Sequence, residues 1–273
     1  MKKFEVSPLS LFGSLYNNRQ LLLDLSWREI TSRYKGSVFG MLWSMLTPIL
    51  MLGIYTFIFS EVFQSRWPNI NEGSRSSFAL ILFSGLIAFN FFSECVGRSP
   101  YIICSNPNFV KKVIFPLEIL PCVTIISTLF HATIGLGILF IFELFAFGKI
   151  PATALLLPIA FAPLIFLTMG LTWLLAALGV YLRDIGQTIG IVLTGLLFIS
   201  PIFFPMSSFP EKWRGLASLN PLAMPIEQIR NVLIFSKEID THYLMYYATT
   251  SLIIAWLGYA VFQASRKGFA DVL

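Results

Sequence analysis

Very few residues of this sequence have the types and spacing that covalent chemistry requires. Its 273 residues contain no G-x-S-x-G nucleophile motif, no H-E-x-x-H zinc motif and no pair of carboxylates in one membrane-facing cluster. The only Gly-Lys pair, Gly148-Lys149, is followed by Ile150 and lacks the glycine that a phosphate-binding P-loop has five residues earlier. We therefore expect no catalytic residue here, and we expect that any nucleotide that drives this chain binds to another one.

The histidines and cysteines form no metal-binding pattern either. His131 and His242 stand alone, and Cys95, Cys104 and Cys122 have no histidine beside them. A structural zinc site needs four such ligands at short spacing. The sequence predicts no metal site, and it favours a role in helix packing for His131.

The elements that would position any functional residue must lie in a membrane, because the composition leaves too little polar surface for a soluble domain. Apolar residues make up 56% and charged residues 12% of the chain, against roughly 25% charged in a soluble domain, and the mean hydropathy is +0.76. Disordered, collagen-like and disulfide-rich chains are excluded by the same composition. The net charge of +5 is spread beside apolar runs and forms no dense patch, which favours a membrane over nucleic acid as the partner.

Six runs free of Asp, Glu, Lys and Arg predict six transmembrane helices. A helix needs about 20 residues to cross about 30 Å of hydrocarbon. The fourth run is too long for one span, and its prolines predict a kinked or interfacial start. The predicted fold is an all-α integral membrane protein of one domain, with an interface helix region at 1–35, a six-span bundle at 36–265 and a cytoplasmic tail at 266–273. The runs are residues 36–60, 76–93, 119–142, 150–182, 185–210 and 241–265.

The distribution of Lys and Arg predicts that both termini lie in the cytoplasm. This orientation places 12 of these residues inside and 7 outside, with 7 acidic residues on each side, as the positive-inside rule requires. All three cysteines then lie in or beside one cytoplasmic loop. Thiols stay reduced there, so we expect no disulfide.

Two segments outside the apolar runs also show helical patterns. Before the first run, apolar residues at helical spacing predict a helix in the membrane interface, with Trp27 and Tyr34 at headgroup depth, although an ordinary packing helix would show the same pattern. Segment 201–240 contains five of the fifteen prolines and predicts short external, re-entrant helices at 211–219 and 225–235. The apolar residues of the interface helix are Phe12, Leu15, Tyr16, Leu22, Leu23, Trp27, Ile30 and Tyr34.

Small and polar residues form stripes in the first and fifth runs. One stripe contains Ser44 and Tyr55, and the other contains Gly190 and Thr194. Such stripes allow helices to pack closely, or they line a polar path. The sequence leaves both interpretations open.

Several motifs lie along the chain in an order that a known family shares. Residues 33–43 read R-Y-K-G-S-V-F-G-M-L-W, and residues 111–121 read K-K-V-I-F-P-L-E-I-L-P. Later motifs are Arg183-Asp184-Ile185 with Gln187, Ser200-Pro201-Ile202, and Asn220-Pro221 with Arg230. Together they resemble the permease subunits of ABC transporters that export polysaccharides and polyol phosphates, most closely those for O-antigen. The resemblance covers nearly the whole chain, with Phe39 where leucine is more usual.

This resemblance implies a type-2 ABC exporter, in which two copies of the chain form a channel at their interface. Two separate ATP-binding-cassette ATPase subunits would bind ATP and Mg²⁺, so that this chain holds no cofactor. The family's first and fifth spans line the channel, where Trp43 and Phe198 would stack against sugars. Two short charged loops would be the coupling helices pressed into the ATPases, and the external helices at 211–235 would form the exit gate. The channel candidates are Trp43, Ser44, Tyr55, Gly190, Thr194 and Phe198. The coupling candidates are Asn106, Pro107, Asn108, Lys111, Lys112, Arg183 and Asp184.

The substrates of that family are polymers on a lipid carrier, often undecaprenyl diphosphate, which enter from the cytoplasmic side. Arg28, Arg33 and Lys35 are candidates to attract the diphosphate, although they would serve equally as charges that set the topology. The leading hypothesis is export of lipid-linked O-antigen across the inner membrane of a bacterium, with capsule or teichoic-acid export as neighbouring alternatives. From other classes, an integral membrane enzyme of lipid-linked glycan metabolism would need clustered acids or a base near the membrane face, and a passive channel or scaffold would need no ATPase.

Overall fold

The computed structural model describes residues 7–62, 75–111 and 115–273, and the longer regular elements within these ranges are all α-helices. Short 3-10 turns extend several of them, and a π-helical turn follows α3. The α-helices are α1 Pro8–Asn17, α2 Arg19–Ser32, α3 Trp43–Thr56, α4 Arg75–Arg98, α5 Pro107–Val110, α6 Ile119–Phe147, α7 Leu157–Tyr181, α8 Ile185–Ile199, α9 Glu211–Ser218, α10 Ala223–Leu233, α11 Thr241–Ser265 and α12 Phe269–Val272.

The chain is a helical, multi-pass membrane protein. Within the described ranges, five helical stretches are long and apolar enough to cross a membrane, and they contain α3, α4, α6, α7 and α11. The fifth predicted run, residues 185–210, is α-helical only as α8. The 15 residues of α8 make a helix about 22 Å long, which is shorter than the hydrocarbon layer. The five stretches are Gly40–Phe59, Ser77–Tyr101, Ile119–Phe147, Ala152–Tyr181 and Thr241–Val272.

The third candidate span is longer than its charge-free run and includes a carboxylate. α6 continues past residue 142 through Glu143 and ends where Gly148 adopts the left-handed backbone conformation, with φ 71°. Glu143 is 1% exposed. The sequence predicted a charge-free span that ends at residue 142, and this boundary is wrong. The helix ends at Gly148 and not at its first charged residue, Glu143.

The helix α4 is the centre of the bundle. It packs against α3, α6, α7, α8 and α10, and 83% of its most apolar stretch is buried. The corresponding share for α3 is 11%. α4 therefore provides the surface on which the other helices assemble, whereas α3 leaves most of its apolar side chains open to lipid or to another chain.

The helices α7 and α11 approach each other closely because two glycines lie in their contact. A Cβ atom on Gly170 would lie 2.5 Å from the carbonyl oxygen of Ile254, and one on Gly258 would overlap the carbonyl of Gly170. Close van der Waals packing of this kind drives helix association in lipid. The two helices thus form a tightly packed pair.

The chain reverses its direction inside the bundle after α8. This helix runs along α4 from Tyr101, whose ring contacts Gly186, towards Gly85, whose Cβ position lies 3.7 Å from the Cα atom of Ile202. α8 therefore covers α4 only from its C-terminal end to about Gly85, and it does not reach the N-terminal end of α4 at Arg75. The carbonyl groups after α8 have no helical partner, and inside a membrane they need donors from elsewhere in the protein.

Arg230 of α10 supplies those donors. Its Nη1 donates to the carbonyl of Pro201 at 2.8 Å, its Nη2 to that of Ile202 at 3.2 Å and its Nε to that of Ile81 at 3.2 Å. Gly85 allows this approach, because a Cβ atom there would lie 2.8 Å from Nη2. The Arg230 side chain is 2% exposed. One buried cation thus joins α10, α4 and the segment after α8.

Asn220 stabilises the same reversal from the other side. Its Nδ2 donates to the hydroxyl of Ser200 at 2.8 Å, and its Oδ1 accepts from the backbone N–H of Leu222 at 2.9 Å. The hydroxyl of Tyr247 donates to the carbonyl of Pro221 at 2.7 Å. The last two of the sequence motifs therefore meet in one buried network. We call it the reversal site, and its members are Ser200, Pro201, Ile202, Asn220 and Arg230.

The two helices predicted between the last spans are present as α9 and α10, but α10 is a buried part of the bundle. It packs against α4 and α7, and eight of its eleven residues are buried. The hydroxyl of Thr153, in the turn before α7, donates to the carbonyl of Val232 at 2.7 Å. α10 therefore covers the part of α4 that α8 does not reach.

The N-terminal segment forms two helices that meet at Asn18, where φ is −103° and ψ is 19°. Only part of the predicted apolar stripe packs on the bundle, where Ile30 is buried. Four other members of the stripe share an exposed face, so the prediction of a single stripe is only partly right. The exposed apolar face is compatible with the predicted position in the membrane interface. The exposed members are Phe12, Tyr16, Leu23 and Trp27.

We predict that Gly85→Ala destabilises the fold. The new methyl group would lie 2.8 Å from Nη2 of Arg230 and 3.3 Å from Cγ2 of Ile226. The guanidinium must then move away from its carbonyl partners, and each hydrogen bond to a charged donor is worth about 1.5–3 kcal/mol. Thermal unfolding of the purified protein in detergent measures the effect.

Gly137→Ala is the matched control, because nothing lies within 4 Å of the Cβ position of Gly137. Alanine is the better helix former, so this variant should be as stable as the parent or slightly more stable. Equal melting temperatures for the two variants would contradict the role that we assign to Arg230.

Candidate functional site

Two loops at one end of the bundle pack directly on each other. The first follows α4 and includes α5, and the second joins α7 to α8. Gly179 lies against the backbone of Pro100, and Gly186 lies against the ring of Tyr101; neither glycine has room for a Cβ atom. The Cys104 thiol donates to the carbonyl of Gly179 at 3.6 Å. We call this unit, residues 99–111 with residues 181–186, the loop platform.

The residues after α11 connect the loop platform to the rest of the fold. Nη1 of Arg266 donates to Oε2 of Glu118 at 2.7 Å, and Nη2 donates to the carbonyl of Phe115 at 2.6 Å. Oε1 of Glu118 accepts from the hydroxyl of Ser14 in α1 at 2.7 Å. Residues 266–273, which the sequence predicts as a tail, thus contact the segment just before α6, and Glu118 of that segment also contacts the N-terminal helix.

The last helix, α12, is anchored beside the second loop. The ring of Phe269 is fully buried and lies 5.5 Å from the ring of Phe262 and 6.1 Å from that of Tyr181. The hydroxyl of Tyr181 donates to the carbonyl of Ser265 at 2.8 Å. Because Tyr181 closely precedes the turn at Arg183, the C-terminal residues hold both loops in place.

The structure brings the two predicted groups of coupling residues together on the loop platform. Pro107 opens α5, and Asn106 precedes it with its Nδ2 donating to the carbonyl of Ile102 at 2.9 Å. The second group lies in the exposed turn between α7 and α8. The candidates that the structure describes are Asn106, Pro107, Asn108, Lys111, Arg183 and Asp184, and Lys112 lies outside the described residues.

A cavity of about 850 Å³ lies between α2, the end of α4, α5 and the start of α6. We call it the basic cavity, because Arg28, Lys35 and Arg98 line it. Nη2 of Arg98 lies 2.6 Å from Oε1 of Glu29. Neither Arg28 nor Lys35 forms an ion pair with an acidic side chain in the described part of the chain. These two cations are therefore available to an anion.

The third diphosphate candidate, Arg33, is engaged elsewhere. It forms an ion pair with Glu94 of α4, and Glu94 also lies 3.4 Å from Arg98. Arg33 does not line the basic cavity but a second one. The structure thus brings Arg28 and Lys35 together and separates Arg33 from them.

The second cavity, of about 440 Å³, lies between α3, α4 and α6, and we call it the α3–α6 cavity. Trp43, Ser44 and Tyr55 line it, so three of the predicted channel residues share one space within a single chain. The hydroxyl of Ser44 donates to the carbonyl of Met41 at 2.7 Å. Burial raises the pKa of the Tyr34 hydroxyl at the cavity's edge.

The other three channel candidates form an exposed stripe on α8. The hydroxyl of Thr194 donates to the carbonyl of Gly190 at 2.9 Å. The ring of Phe198 is 61% exposed and stacks on Phe203 with centroids 6.1 Å apart. None of the three lines the α3–α6 cavity. The α3–α6 cavity therefore contains only one of the two predicted groups of channel residues.

The acidic partners of the arginines were missed by the sequence analysis. Only the Glu94–Arg98 pair has a local signal, because the two residues are four positions apart on one helix. The Arg33–Glu94 and Arg266–Glu118 pairs join residues 61 and 148 positions apart. No pattern in a single sequence records such distant pairings.

The sequence matches the family model described as ABC-2 type transporter over residues 20–234, which is more than half of the chain. The chain belongs to the ABC-2 type transporter family. The matched part of this ABC-2 type transporter extends through α10, and it includes the loop platform, the lining of both cavities and the reversal site. α11 and α12 lie beyond the matched residues.

Individual relatives of this ABC-2 type transporter match over nearly their whole lengths. The O-antigen export system permease protein RfbA of Myxococcus xanthus is 29% identical over 266 residues, which are 96% of this chain and 99% of RfbA. RfbA of Klebsiella pneumoniae is 27% identical over 255 residues, or 93% and 95% of the two chains. The polysialic acid transport protein KpsM of Escherichia coli is 27% identical over 241 residues, or 88% and 91%.

We predict that Arg266→Gln destabilises this ABC-2 type transporter by about 3 kcal/mol, because it leaves the buried carboxylate of Glu118 without its cation. The side chains of this pair are 14% and 8% exposed. Lys267→Gln is the control, since it removes the same charge from an exposed neighbour and should change stability by less than about 0.5 kcal/mol. Thermal unfolding in detergent compares them, and equal shifts would argue against the buried pair.

Proposed function

We propose that this chain is the permease subunit of an ATP-driven exporter that moves lipid-linked O-antigen polysaccharide across the inner membrane of a bacterium. The observation that carries the proposal is the similarity to O-antigen export permeases, which extends over 96% of the chain for the Myxococcus xanthus protein. Membership of the ABC-2 type transporter family supports a transport subunit over an enzyme of glycan metabolism. The exposed loop platform supports an intracellular partner.

The proposed topology has six crossings, with residues 1–273 acting as one transmembrane domain. Five crossings are the candidate spans. The sixth is formed by α8 and α10 together, and the carbonyls left free at the reversal site are satisfied inside the protein. The contacts of Pro100 with Gly179 and of Tyr181 with Ser265 support this alternation, because they join the ends of α4, α7 and α11. The excess of Lys and Arg supports a cytoplasmic position for this end.

The energy source in this proposal is a pair of separate ATPase subunits that bind ATP and Mg²⁺. The sequence supports this division because it has no P-loop. Among the described residues, no group of three or more His, Cys, Asp or Glu could hold a metal ion. The loop platform is the proposed contact with the ATPases. Its two loops are packed on each other, so a displacement of either one is passed to the other and to the helices behind them.

The translocation path in this proposal lies between two copies of the chain. α3 supports it because only 11% of its most apolar stretch is buried within one chain. The exposed stripe on α8 supports it from a second side. In such a dimer, Trp43 on α3 and Phe198 on α8 offer aromatic faces to the sugars of the polymer.

The basic cavity is the proposed binding site for the diphosphate of an undecaprenyl diphosphate carrier. Arg28 and Lys35 line it without an acidic partner in the described ranges, whereas the charge of Arg98 is balanced by Glu29. Charge-assisted hydrogen bonds from such groups favour a diphosphate at the membrane surface. The neighbouring face with Phe12, Tyr16, Leu23 and Trp27 supports the position of this cavity in the interface.

Capsule export is the second candidate function. The similarity to the polysialic acid transport protein KpsM of Escherichia coli favours it, at 27% identity over 88% of this chain. The two candidates share the mechanism proposed above and differ in the polymer. The composition of the exported polymer therefore decides between them.

We predict that deletion of the gene abolishes the polymer at the cell surface and causes finished, lipid-linked chains to accumulate inside. Surface polymer and lipid-linked polymer are quantified together in the deletion strain and in the strain complemented with the parent gene. Sugar analysis of the accumulated chains identifies the cargo. Loss of surface polymer without internal accumulation would contradict export and would favour a role in synthesis.

We predict that charge reversal on the loop platform uncouples ATP hydrolysis from export. The double variant Lys111→Glu, Arg183→Glu should lower export at least about tenfold, because like charges at a contact cost several kcal/mol. ATP hydrolysis by the purified complex should continue while export falls. Lys149→Glu is the control, as it makes the same change at an exposed site on the opposite end. Normal export by the double variant would contradict this contact.

A further inference from the structure

One wall of the basic cavity is the loop platform itself. Another wall is α2, which contributes Arg28 and Glu29. A ligand that fills the cavity therefore contacts α2 and the platform at the same time. The platform residues in the lining are Tyr101, Ile102, Ser105, Asn106 and Phe109.

The lining of the basic cavity already includes one negative charge, the carboxylate of Glu29. Its Oε1 lies 2.6 Å from Nη2 of Arg98, the last residue of α4. The two groups form an ion pair but not an aligned hydrogen bond, since Oε1 has no hydrogen-bond partner among the residues that the structure describes. A guanidinium binds an anion most strongly through two aligned N–H groups. The Glu29–Arg98 pair is therefore weaker than the best contact that Arg98 can form.

The guanidinium of Arg98 is also open to a ligand. Its side chain lines the cavity and is 41% exposed, whereas that of Glu29 is 20% exposed. An ion pair at such a surface contributes little to stability, so it is easily exchanged. A diphosphate carries more negative charge than one carboxylate and offers several acceptor oxygens to a planar guanidinium. A diphosphate beside Arg28 and Lys35 is thus a stronger partner for Arg98 than Glu29 is.

The position of Arg98 in the chain connects this exchange to the loops. Arg98 directly precedes the loop platform, whose two loops pack on each other at Gly179 and Gly186. Its side chain therefore ties the platform either to α2, through Glu29, or to an anion in the cavity. A side chain with two alternative partners is a two-state element, and a ligand that binds one state shifts its equilibrium.

We propose that Glu29 is an internal competitor of the ligand: it holds Arg98 in the absence of a diphosphate, and the diphosphate displaces it. Arg98 then binds the phosphate, and the loop platform is released from α2. ATP hydrolysis by the partner subunits in this way depends on a loaded cavity. This inference rests on the proposed diphosphate site and on the proposed contact of the platform with the ATPases. It adds an autoinhibitory contact that neither of them contains.

The test measures diphosphate affinity and ATP hydrolysis on the same preparation. The transporter complex with its ATPase subunits is reconstituted in phosphatidylcholine nanodiscs, and farnesyl diphosphate is the probe. In the parent complex, the probe should bind and should raise the rate of ATP hydrolysis. Farnesol, which has the same chain without the phosphates, should do neither.

Glu29→Gln removes the competitor and leaves Arg98 to the ligand. The affinity for the probe should rise about three- to fivefold, which is the range that an exposed ion pair contributes. ATP hydrolysis without the probe should rise to most of the stimulated rate. Asp24→Asn is the matched control, because Asp24 is exposed on the same helix and does not line the cavity. It should change neither quantity.

Arg28 and Arg98 should differ in the quantity that each one controls. Arg28→Gln should lower the affinity about tenfold, since it removes a charge-assisted hydrogen bond, but a saturating probe should still give full stimulation. Arg98→Gln should lower the affinity and also abolish the stimulation at saturation. Arg98→Lys keeps the charge without the planar fork and should restore part of the stimulation. A merely structural role of Arg98 would not separate maximal stimulation from affinity.

Two results would overturn the exchange. The first is that Glu29→Gln and Arg98→Gln respond to the probe as the parent does, or that the probe binds to the parent without raising ATP hydrolysis. The proposed diphosphate site then stands without the exchange. The second is full stimulation by nanodiscs that contain anionic phosphatidylglycerol and no probe, because any phosphate of the bilayer would then replace that of the carrier.

The same measurements separate this inference from the proposals on which it rests. If the probe does not bind to the parent, the diphosphate site is wrong and the exchange is wrong with it. The deletion strain decides the export function independently, through the polymer at the cell surface. A failure of export is therefore distinguishable from a failure of the exchange.

Discussion

The reversal of the chain inside the bundle depends on one buried cation, Arg230. Lipid offers no hydrogen bonds, so each carbonyl freed by the end of α8 must find a donor within the protein. Arg230 meets this need for Pro201 and Ile202 and donates to Ile81 of α4 at the same time, because a guanidinium presents five N–H groups in a planar fork. One of these carbonyls belongs to α4 and two belong to the segment after α8. The positions of α4, α8 and α10 are therefore set together.

The need to satisfy these carbonyls also explains why α4 packs against α8 along one part of its length and against α10 along the next. α8 contacts α4 at Gly97, where Leu193 lies 3.3 Å from the Cβ position, and the chain then turns level with Gly85. α10 covers α4 beyond that point, with Ile226 only 3.3 Å from the Cβ position of Gly85. A straight, full-length span in place of α8 would occupy the volume that α10 fills. The short helix and the buried α10 are thus two consequences of one packing solution.

Apolar run length predicted the five candidate spans because it reflects the thickness of the bilayer, which a sequence records directly. The interactions that hold the ends of the spans were not predictable in this way. The Arg266–Glu118 pair joins residues 148 positions apart, and the contact of Gly179 with Pro100 depends on an absent Cβ atom that belongs to no motif. The predicted third span ended before Glu143 because its boundary was set at the first charged residue. The helix continues instead, and Glu143 is buried within the protein. Charge pattern identified the two loops, but only the fold brings them together.

The two cavities differ in charge because Glu94 lies between them. It pairs with Arg33 in the α3–α6 cavity and lies 3.4 Å from Arg98, which lines the basic cavity. Arg28 and Lys35, on the far side, have no ion pair in the described ranges. A phosphate that moved from the basic cavity into the bundle would leave these cations and approach a carboxylate, at a cost that grows as water is excluded. A neutral sugar meets no such barrier. In the export that we propose, the diphosphate of the carrier would therefore stay at the membrane surface while the sugars advance between the helices.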